Sequence, residues 1–230
     1  MHRRAVGEVL HSEREPLEAL EKLKVEMGSY DFSAQYQQAP VPAGGNMIQW
    51  KWFGFFTGLP LLRDGGAVLV QSWDTASSKN ELASYSVGIT AFIDKTGTIW
   101  VLDLVRGRWA FPDLQRKVIE GAQRYRPQAI LIEDYASGTA LQQALKQERF
   151  AVIPIKPKGD KVMRLHAHTA ALEAGKVLLP KDAPWLDDFR CEVLAFPHGK
   201  HDDQVDALSQ LMTWHQDRQK RTYGVHRLRW

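Results

Sequence analysis

Ala129-Ile130-Leu131-Ile132-Glu133 is a run of four apolar residues closed by an acid. A segment this short and this continuously apolar fits a strand buried on both faces, the environment of a parallel sheet covered by helices. The neighbouring sequence supplies those helices. Residues 111–125 carry Leu114, Val118, Ile119 and Ala122 at helical spacing, and residues 139–147 read as a second helix. A further buried strand is expected at 151–155. A helix follows at 161–174, stopped by Gly175, with an extended stretch at 177–179. Residues 185–194 and 203–214 close the pattern as helices. Upstream, residues 67–74, 85–93 and 98–105 read as three strands in meander, the last two joined by the turn Asp94-Lys95-Thr96-Gly97. Three strands followed by alternating helices and strands imply an α/β fold, with a central mixed sheet and helices on both faces.

Residues 14–27 form a separate helical pattern, with Pro16 near its first turn and Leu17, Leu20 and Leu23 along one side. Gln38-Ala39-Pro40-Val41-Pro42-Ala43-Gly44-Gly45 cannot continue a regular element and reads as a linker. The expected organisation is an N-terminal arm and linker over 1–45, a main domain over 46–216, and a basic tail over 217–230. The tail holds Arg218, Lys220, Arg221, Arg227 and Arg229 and is expected to be solvated. Trp50, Trp52, Phe53, Phe55 and Phe56 read as packing surface in preference to a base-stacking platform.

An apolar content of 44% with 25% charged residues is that of a globular domain. No apolar run approaches the roughly 18 residues of a membrane span. Cys191 is the single cysteine, which excludes an internal disulfide and a Cys-based zinc site and suits a reducing cytoplasm. A net charge of +3 permits a polyanionic partner without requiring one.

The chemistry lies in the acids. Asp74 ends the first strand of the meander and Glu133 ends the apolar strand; Asp202, Asp203 and Asp206 open the last helix within His201-Asp202-Asp203-Gln204-Val205-Asp206-Ala207-Leu208. Asp203 and Asp206, three apart, share a helix face. Capping explains one acid at a helix N-terminus but not all three, so a cap and a metal site both stand on this stretch alone. Functional groups of an open sheet gather at the carboxyl ends of its strands. If the strands ending at Asp74 and Glu133 are adjacent, both acids enter one crevice, and the last helix could bring Asp203 over it. Three or four carboxylates suit two hard ions, Mg2+ or Mn2+, the arrangement that hydrolyses phosphodiesters with the ions roughly 4 Å apart. His201 could orient a water or contact a phosphate, or simply face solvent.

Three of these stretches together resemble the acidic motifs of the nuclease domain of phage terminase large subunits: Gln71-Ser72-Trp73-Asp74-Thr75-Ala76, Leu131-Ile132-Glu133-Asp134-Tyr135-Ala136-Ser137-Gly138, and the segment from His201 to Leu208. Gly159-Asp160-Lys161, Gly175-Lys176-Val177-Leu178-Leu179-Pro180 and Ala183-Pro184-Trp185-Leu186 match that pattern in order. The resemblance covers about residues 30–215. It implies an RNase H-like fold and a metal-dependent endonuclease that cuts concatemeric double-stranded DNA during genome packaging in the bacterial cytoplasm. It also implies Asp74, Glu133 and Asp203 as catalytic metal ligands, Asp206 as a fourth ligand, and Asp202 and His201 as accessory groups. The partners it implies are a packaging ATPase domain, a terminase small subunit and a portal. The chain carries no Gly-x-x-x-x-Gly-Lys-Ser/Thr phosphate loop, so it is expected to be the nuclease half with a remnant of the connector.

Basic residues near the acids offer a substrate surface. Lys156, Lys158, Lys161 and Arg164 surround a loop leading into a helix, either as a phosphate cradle or as a solvated charged loop. Lys79, Arg106 and Arg108 could extend the track. Contacts of this kind hold DNA without reading sequence. Two other functions fit the same residues: an RNase H-like junction resolvase, and a DNA-binding module whose catalysis has lapsed.

Overall fold

The computed structural model describes residue 9 and residues 13–36, 47–58, 67–76, 85–134, 137–157 and 159–227. The expected linker, Lys79, Lys158 and the last three residues lie outside these. Helix α1, Leu17–Tyr36, extends past the expected residue 27 and bends at Gly28, whose φ of 84° is open to glycine and strained for other residues. Beyond the bend Phe32 is buried. A short 3-10 turn at Trp50–Trp52 leads into strand β1, Gly54–Phe56. Strands β2, Val68–Asp74, β3, Ser86–Ile93, and β4, Ile99–Gly107, follow. Next come helix α2, Phe111–Tyr125, strand β5, Ala129–Glu133, helix α3, Ser137–Gln147, and strand β6, Val152–Ile155. The remaining elements are α4, Lys161–His166; α5, Thr169–Glu173; β7, Val177–Pro180; α6, Leu186–Ala195; and α7, Asp203–Arg227.

Seven strands form one mixed sheet in the order β1-β7-β4-β3-β2-β5-β6. The meander is antiparallel, with Asp94 closing the β3–β4 turn by accepting from the backbone N–H groups of Thr96 and Thr98. Strand β5 runs parallel to both β2 and β6, as its unbroken apolar sequence requires.

Alternation along β5 separates the two layers. Ala129 and Leu131 pack with Val205, Leu208 and Leu211 of α7; Ile130 and Ile132 pack with Leu114 and Val118 of α2 and Leu141 and Leu145 of α3. Helices cover both faces, as the element pattern predicts.

Two further helices depart from the sequence pattern. The stretch expected as a single helix over 161–174 is two short ones, broken at Ala167-His168 because the His168 imidazole turns inward to Thr213 of α7. The last helix does not stop at Trp214. It runs to Arg227, so the first eleven residues assigned to a basic tail are helical. Gln216 to Arg221 contains no breaker, and a polar sequence is no obstacle to a helix already nucleated on the core.

Candidate metal centre

The side-chain parity that sorts the layers also aims the acids. On β2, Val70, Ser72 and Asp74 share one face; on β5, Ala129, Leu131 and Glu133 do. Trp73 stands opposite Ile132 in the parallel register, so Asp74 and Glu133 are the next residues on adjacent strands. Both face the layer that contains α7. The helix is held over them by three hydrogen bonds. The Ser72 hydroxyl donates to the Ala207 carbonyl at 2.8 Å, and the Gln210 amide donates to Ser72 Oγ at 2.9 Å and to the Trp73 carbonyl at 3.2 Å. One turn earlier along α7 are Asp203 and Asp206.

The first turn of α7 is anchored from α6. Glu192, 7% exposed, accepts from the Gln204 backbone N–H and from its side-chain amide, both at 2.6 Å. Its carboxylate therefore satisfies a donor that the helix start leaves free. Arg106 of β4 pairs with the same carboxylate at 3.4 Å. The Arg106 and Arg108 guanidiniums lie over the Tyr85 ring, 3.9 and 4.4 Å from its centroid, and His201 meets that ring edge-on. Arg106 thus supports the site instead of continuing an open basic track. The sequence carried one signal for Glu192, an acid among Phe189, Val193 and Phe196 on the buried side of α6.

Electrostatics binds the acids into one system. The Asp74 carboxyl lies deep in the crevice although the residue keeps some solvent contact. Burial pushes its pKa well above the usual carboxylate range; Asp206, Glu133 and Asp203 push in the same direction, and Arg164 opposes them. Burial also raises Glu133, against Arg164 and with Asp206. Asp203 is raised by burial, with Arg106 and His201 opposing and Asp206 adding to the rise.

The four oxygen donors, mutually repelling and partly desolvated, suit a hard divalent cation. Among the described residues, however, no three His, Cys, Asp or Glu side chains surround a common point closely enough to hold one ion. Asp206 of α7 and Asp202, just before it, are partnered with cations of α4. Arg164 Nη2 donates to Asp206 Oδ1 at 2.8 Å, and Lys161 Nζ pairs with Asp202. The Asp202 carbonyl accepts from the Asp206 N–H at 2.8 Å, which puts Asp202 at the start of the helix. His201 Nδ1 stands 4.0 Å from Asp203 Oδ2. A groove of about 720 Å³ opens beside Glu133 and Asp206, walled by Pro154, Met163, His168 and Trp214.

Acids at the carboxyl ends of two adjacent parallel strands, facing a helix that carries two more, give this mixed sheet the form of an RNase H-like α/β protein. Residues 71–213 match the family model of the terminase RNaseH-like domain, and the chain belongs to that family. Its fold is similar to that of the large terminase of a thermophilic bacteriophage in complex with ADP (TM-score 0.63, 14% identity, covering 86% of this chain and 51% of that one). It is similar also to the large terminase nuclease of thermophilic phage G20c with bound cobalt (TM-score 0.55, 18% identity, covering 75% and 98%). The same nuclease with bound magnesium gives a TM-score of 0.56 at 16% identity, covering 75% and 98%. The chain spans about half the length of the ADP-bound terminase. Comparison with curated proteins gave no match.

Proposed function

We propose that this chain is a divalent-metal-dependent DNA endonuclease of the terminase type, which cuts concatemeric double-stranded DNA during genome packaging. The observation that carries the reading is the placement of Asp74 and Glu133 side by side on one face of the sheet, with Asp203 and Asp206 on the helix above that face. Metal ions bound to the G20c nuclease support the choice of cofactor.

Asp74 and Glu133 would hold Mg2+ or Mn2+ from the sheet, and Asp203 and Asp206 from the helix, with Asp202 and His201 accessory. Two such ions supply Lewis-acid activation of water and neutralisation of the leaving oxygen. The protein's own part is to orient the four carboxylates through rigid elements and to keep them desolvated, so that charge is compensated by cations and not by water. Lys161 and Arg164, with Lys79 and Lys158 from outside the described residues, would hold the phosphate backbone. The nuclease unit would comprise residues 46–216, between an arm over 1–45 and the basic segment 217–230. In the packaging machine it would work with an ATPase domain, a small subunit and a portal.

Incubation of supercoiled plasmid with MnCl2, MgCl2 or EDTA tests this reading, with Asp74→Ala alongside. Cleavage in metal, lost in EDTA and in the variant, is the expected result. DNA retardation without cleavage in any condition would mean that the chain only binds. Preferential resolution of a four-way junction over linear duplex would reassign it to the resolvases.

A further inference from the structure

The two basic residues of α4 that face the site are both engaged with acids at the start of α7. Lys161 and Arg164, three apart on one face of this short helix, meet Asp202 and Asp206. The Arg164–Asp206 pair is largely shielded, with side chains 19% and 16% exposed. In this conformation Arg164 neutralises Asp206 through Oδ1, and its Nη2 is turned to that carboxylate instead of to a phosphate. Arg164 has a second attachment: Nη1 donates to the Gly159 carbonyl at 3.2 Å. Loss of Asp206 would therefore leave the guanidinium tethered at the mouth of the crevice, beside the groove that Glu133 and Asp206 line.

We infer that Arg164 is a metal-gated substrate contact. It neutralises Asp206 until a divalent ion takes that carboxylate, and it then turns its planar fork to a DNA phosphate. This rests on the nuclease reading above and adds an order of events to it. A divalent cation and a guanidinium compete for one carboxylate, since each neutralises the same single charge in a shielded crevice where two cations repel. The released guanidinium presents donors that match two phosphate oxygens. Metal and DNA binding are then positively coupled through this residue, and the coupling must be the same read from either ligand.

Fluorescence anisotropy of a labelled duplex, in EDTA and in CaCl2, separates the possibilities. Arg164→Ala should weaken binding by a clearly larger factor in calcium, roughly tenfold, than in EDTA, where Arg164 is occupied by Asp206. Asp206→Asn should bind DNA more tightly than the wild type in EDTA, because it frees the guanidinium without metal. That gain should vanish in the double variant with Arg164→Ala, and a misfolded protein cannot produce it. Equal weakening by Arg164→Ala in both buffers would mean that the residue contacts DNA regardless of metal. No weakening in either would mean that it never leaves Asp206. Either outcome overturns the exchange while leaving the nuclease reading intact. Calorimetric titration with MnCl2 checks the foundation: no binding to the wild type would overturn both.

Discussion

Gly138 shows how narrowly the site is built at the scale of one residue. It lies in the first turn of the helix that follows Glu133, and a Cβ there would overlap the Glu133 carbonyl oxygen, with no flexible side chain to give way. Gly138→Ala should displace the strand end that carries the acid. The expected cost is about 1–3 kcal/mol in urea denaturation, together with weakened Mn2+ binding. An unchanged Mn2+ isotherm would show that the strand end tolerates the methyl group. Asp74 makes the converse prediction. Its folded pKa is raised, so ionising it is harder in the native state than in the unfolded chain. Below the unfolded pKa both states are protonated and the group contributes nothing. As pH rises above that value, the native state is progressively destabilised until its own pKa is passed. Asp74→Asn should therefore raise the metal-free melting temperature at pH 7 by a few degrees, about 2 °C or more per kcal/mol in a chain of this size. The gain should disappear near pH 3.

His168 belongs to the scale of elements, because it sets the break between α4 and α5 and ties that break to α7. Its Nε2 lies 2.8 Å from Thr213 Oγ1. Burial, reinforced by Lys220 and opposed by Asp217, lowers its pKa to about 4. The native state thus binds fewer protons than the unfolded chain between the unfolded value near 6.5 and about 4. Stability from this group is complete above pH 6.5 and falls as the solution is acidified, by about 3 kcal/mol once pH 4 is reached. His168→Gln, which keeps a polar contact without titrating, should flatten that part of the profile. Urea midpoints at pH 7 and pH 4.5 measure it; an equal acid loss in the variant would place the proton uptake elsewhere. The break was hidden in the sequence because residues 161–174 keep a helical apolar spacing throughout, and only the contact with α7 turns His168 inward.

For the whole molecule, the proposed metal site would link cation binding to folding, since its acids converge only in the native state. A divalent ion at 100 times its dissociation constant should stabilise the protein by about 2.7 kcal/mol. Thermal melts with and without MnCl2 read this as a higher transition, one that Asp74→Asn should not show. Local pattern carried much of the architecture. The apolar run of β5 determined a strand buried on both faces, the Asp94–Gly97 turn determined a hairpin, and strand parity determined which residues share a side. These follow from backbone geometry, which acts over a few residues. The Arg106–Glu192–Gln204 anchor, the pairing of Arg164 with Asp206, and the length of α7 were decided only by the tertiary structure. They join residues tens of positions apart, or depend on how much core a helix finds to rest on, and no local periodicity encodes either.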